Sequence, residues 1–167
     1  MKILGAVLII IACSIAGFDV YSKNIKKLKY IEGLISGFEF FKSDVSFSHS
    51  ILGEVFLKSA DFAGCAEDFF KNIGTELSKD GVLAHNAFEK YSFNLKNCVN
   101  QETFNITKDV ILQLGNTDAE SQIKLLESGV EKLKNCMFRQ EAFCAKEGVM
   151  FKKIGVVAGV AISLLLF

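Results

Sequence analysis

Two uncharged apolar runs bracket this chain: ILGAVLIIIACSIAGF, Ile3 to Phe18, and IGVVAGVAISLLLF, Ile154 to Phe167. Backbone polar groups find no water inside a bilayer, so only helices or closed barrels cross one. A helix needs about 20 apolar residues to do so, with about 17 as the lower limit. The first run meets that if Asp19 to Tyr21 enter the interface. The second is shorter and needs Lys152 and Lys153 to snorkel, or the bilayer to thin. Transmembrane helices are therefore expected over residues 1–21 and 151–167, with a domain at 22–150 between them.

The lysines set the orientation. Lys23, Lys26, Lys27 and Lys29 follow the first run, Lys146, Lys152 and Lys153 precede the second, and only Lys2 lies beyond. The positive-inside rule puts the central domain in the cytoplasm and both termini outside. Two alternatives remain for the N-terminus: a cleaved signal peptide, and a lipid anchor, since Ile10-Ile11-Ala12-Cys13 fits a lipobox-like pattern. The second would make the chain an extracytoplasmic binding protein processed at Cys13. Both must contend with an apolar run that continues past Cys13 to Phe18, and a lipoprotein would also need its lysine cluster translocated. Gly155-x-x-x-Gly159, extended by Ser163, has the spacing of a helix-packing face, although glycine is common in spans for plainer reasons.

Between the runs the periodicity is helical. There is no proline in 167 residues, which removes the strongest helix breaker. Ile25, Leu28, Ile31, Ile35, Phe38, Phe41 and Val45 alternate in threes and fours, so the first helix should continue to about Ser46. Ser48-His49-Ser50 offer caps for a short helix carrying Leu52, Val55 and Phe56. Phe62, Phe69, Phe70 and Leu77 mark a third helix stopped by Asp80-Gly81, and Leu83, Phe88 and Leu95 a fourth. Val110, Ile111 and Leu114 mark a fifth. From Asp118 a seam of Ile123, Leu126, Val130, Leu133 and Met137 runs on, interrupted at Gln140. No stretch alternates at period two for long. The expected fold is all-α, a small bundle of about six helices between the two spans, its sixteen phenylalanines filling a dry core.

Chemistry finds little support. Net charge is zero with a single arginine, Arg139, which disfavours an electrostatic nucleic-acid binder. The five cysteines are widely spaced without a CxxC pair, and with only His49 and His85 beside them they suggest buried thiols rather than a zinc site or a disulfide framework. No phosphate loop, dinucleotide fingerprint or HExxH motif is present. Glu67-Asp68 is most simply a solvated helix face. No catalytic residue, cofactor or metal is expected.

One stretch breaks the apolar periodicity: QLGNTDAESQIKLLE, Gln113 to Glu127. Gly115 suits the left-handed end of a helix. Thr117-x-x-Glu120 forms a capping box, and Asp118 and Glu120 complement the next helix's dipole. Glu120 and Lys124 add an i,i+4 pair. With Thr117, Asp118 and Glu120 all given backbone roles, a corner outweighs a catalytic loop. Asn116 and Gln122 have no such role and are candidate partner contacts.

The opening MKILGAVLIIIACSIAGF with the basic helix IKKLKYIEGLISGFEFFKSDVSFS, the corner Leu114-Gly115-x-Thr117-Asp118-x-x-x-Gln122, and the short final span resemble the stage III sporulation protein AB family of endospore-forming bacteria. The resemblance covers nearly the whole chain. That family is similar in fold to the cytoplasmic domain of the F-type platform protein of type II secretion. What the resemblance implies is a non-enzymatic platform subunit of the sporulation channel between mother cell and forespore. Its domain would lie in the mother-cell cytoplasm beside a secretion-ATPase-like partner and other stage III sporulation proteins, and homo-oligomers are possible within such an assembly.

Overall fold

Helix α1 runs without a break from Lys2 to Phe47, as expected where neither proline nor a turn residue interrupts the 3.6-residue stripe. The computed structural model describes residues 2–47, 51–114 and 118–148 and the isolated positions 150, 154, 157 and 161. Among these residues the chain is all-helical, with six α-helices and no strand. After α1 come α2 (Leu52–Ala60), a 3-10 turn (Gly64–Ala66), α3 (Glu67–Leu77), α4 (Ala84–Cys98), α5 (Gln101–Gln113) and α6 (Ala119–Phe143). A five-residue π turn, Cys144–Gly148, follows α6.

The chain divides into two compact units, residues 27–138, and residues 1–26 with 139–167. In the first unit α2 packs on α3, α3 on α4 and α4 on α5. Its core is phenylalanine-rich: Phe38, Phe41, Phe56, Phe70 and Phe88 are each at most 2% exposed. Phe38 meets Phe70 edge-on at 5.2 Å, and Phe41 meets Phe56 at 4.9 Å. Such rings contribute about 1.5–3 kcal/mol each through burial, and their geometry adds about 0.5–1.5 kcal/mol per pair. Ile31, Leu34, Leu126 and Leu133 complete the core from α1 and α6.

Backbones approach closely where α1 meets the segment after α2. A methyl group at Gly33 would collide with the Ala63 carbonyl oxygen, and one at Gly37 would overlap the Phe70 ring. The bundle depends on the missing side chains at these two positions.

Several local expectations need correction. Phe62 is not on α3: it lies in the turn after α2, 55% exposed, because the chain reverses through the 3-10 turn before α3 starts at Glu67. The N-cap of α2 is Ile51, extended at φ −65° and ψ 140°, with no side chain to accept an amide. Ser48, His49 and Ser50 lie outside the described residues. Gly81, at φ 75°, does form the turn beyond α3. Among the described residues no helix is long and apolar enough to cross a membrane. The side chains of residues 2–10, and most of residues 151–167 with the Gly155–Gly159 motif, lie outside the described residues.

Candidate functional site

The corner between α5 and α6 is built from both its ends. Helix α5 starts where the Asn100 side chain accepts the Thr103 amide at 2.8 Å, a cap that the apolar spacing did not single out although Asn is a preferred residue there. It ends at Leu114, whose backbone turns extended at φ −63° and ψ 135° and whose side chain is buried. Gly115, Asn116 and Thr117 lie outside the described residues. On the far side, Asp118 Oδ2 accepts the Ser121 amide at 3.2 Å, and the Gln122 amide donates to the Asp118 carbonyl at 3.0 Å. Hydrogen bonds to Asp118, those from Ser121 first, hold its carboxyl below its ordinary value. Glu120 pairs with Lys124 at 2.7 Å in full view of solvent. Gln122 is half-buried.

Beside the corner, Leu114 and Leu112 help line a cleft of about 320 Å³ together with Leu52, Leu77, Val82 and Leu83. His85 stands at its rim, exposed, with Nε2 3.3 Å from the Glu89 carboxylate one turn on. The cleft is apolar and offers no converging charges, which fits an aliphatic side chain better than a reacting substrate.

Some ionisable groups elsewhere pair structurally. Glu76 accepts from Lys90 at 2.8 Å and Lys79 at 2.9 Å, tying the end of α3 to α4. These two lysines lower the Glu76 carboxyl, and Glu76 in turn raises Lys90. Tyr30 is pushed above its usual range mainly by burial, with Cys98, Asp68 and Cys65 adding to the effect. Burial likewise raises Cys98. Glu67 and Asp68 are exposed in the first turn of α3, where carboxylates complement the helix dipole. Among the described residues no group of three or more His, Cys, Asp or Glu is placed to hold a metal ion.

Of the flanking lysines, Lys23 pairs with Asp19 at 2.7 Å, Lys26 and Lys29 are exposed, and Lys27 is half-buried. Lys152 and Lys153 lie outside the described residues. One polar link was signalled by the sequence as an interruption of the α6 seam. Gln140 Nε2 donates to the Asn24 carbonyl at 3.3 Å and reaches Asn24 Oδ1 at 3.5 Å and Cys144 Sγ at 3.7 Å.

A family model described as stage III sporulation protein AB matches residues 2–167. The chain belongs to that family. It is a stage III sporulation protein, and the resemblance carried by the opening helix and the Leu114–Gln122 corner is thereby confirmed. No curated protein and no solved structure matches it.

Proposed function

We propose that this member of the family is a non-enzymatic platform subunit of a sporulation channel, anchored by helices at residues 1–21 and 151–167. In this reading the central domain lies in the mother-cell cytoplasm and docks a secretion-ATPase-like protein. The observation that carries it is the match to the stage III sporulation protein AB family along residues 2–167. The sidedness rests on the lysines at 23, 26, 27, 29, 152 and 153. The scaffold character is supported, among the described residues, by ion pairs that run along and between helices, Glu76 with Lys79 and Lys90 and Glu120 with Lys124.

Two measurements test the two halves of this proposal. Cys65 is exposed and its thiol is a natural reporter for the central domain. A membrane-impermeant maleimide should leave it unlabelled in intact cells and label it once the membrane is opened. Labelling of intact cells would instead place the domain outside and favour processing at Cys13. Affinity capture of the full chain from sporulating cells should recover an ATPase, and capture of channel proteins without one would remove the docking role.

A further inference from the structure

We draw no further inference here: the strongest candidate, the apolar cleft beside the α5–α6 corner lined by Leu52, Leu77, Val82 and Leu83, carries nothing because nothing in the structure shows what covers it.

Discussion

At the residue scale, Thr103 carries a cost that the rest of α5 does not need. It is fully buried, and among the described residues its hydroxyl has no hydrogen-bond partner, although its amide is capped by Asn100 and its carbonyl accepts from Thr107 at 2.9 Å. Those backbone bonds survive a side-chain change. Thr103→Val keeps the shape and removes the orphaned oxygen, and should raise stability by about 1 kcal/mol in chemical denaturation of the full chain. Glu76 sets a second expectation. Its carboxyl is lowered by Lys90 and Lys79, so its contribution is present above the ordinary carboxylate value near 4.5 and is lost as pH falls through its lowered folded value. Asp118 acts in the same acid window. Unfolding midpoints measured from pH 7 downward should decline less steeply in Glu76→Gln than in the wild type. Equal slopes would show that the two lysines do no more than hover near the carboxylate.

At the element scale, helix contacts are decided by what is missing as much as by what is present. Gly33→Ala improves helix propensity by about 1 kcal/mol, which alone predicts a more stable chain. The Ala63 carbonyl leaves no room for the added methyl, and backbone cannot rotate away as a side chain can. The net change should be a loss of about 1–3 kcal/mol, the usual cost of overpacking, read from the thermal midpoint. The Gln140–Asn24 link between α6 and α1 works differently. A half-buried amide in an apolar seam adds little stability but fixes register, as single polar residues do in coiled coils. Gln140→Leu should therefore hold or raise the thermal midpoint while broadening the distance distribution between spin labels on α1 and α6. A narrow, unchanged distribution would show that packing alone sets the register.

At the scale of the whole molecule, charge is divided along the chain although the total is zero. Residues 27–138 carry a net charge of −4, and residues 1–26 with 139–167 carry +4. Thiol reactivity gives a global probe of the bundle. Cys65 is exposed, whereas Cys136 is 1% exposed. Under native conditions Cys65 should label readily, while Cys136 should label only as fast as the protein opens. Rapid labelling of Cys136 would mean that the α6 seam opens without global unfolding.

The sequence by itself determined the helices. The absence of proline and the three-and-four spacing of Ile31, Ile35, Phe38 and Phe41 are local properties, and α1 is bounded at Phe47, one residue past the expected Ser46. At the Leu114–Gln122 corner the expected cap, Thr117, lies outside the described residues; the carboxylate that accepts a first-turn amide is that of Asp118, and Glu120 pairs with Lys124. Gly33 gave no local signal: its neighbour at Ala63 is thirty residues off, and no spacing rule reports a close approach between helices. Phe62 was assigned to the core because a phenylalanine among apolar residues looks the same whether buried or exposed. Only the chain reversal through Gly64–Ala66 set it against Phe40 at the surface. Local hydrogen bonds and side-chain periodicity specify elements. Which faces meet, and which apolar residues are left outside, depends on contacts distant in sequence, and those only the tertiary structure decided.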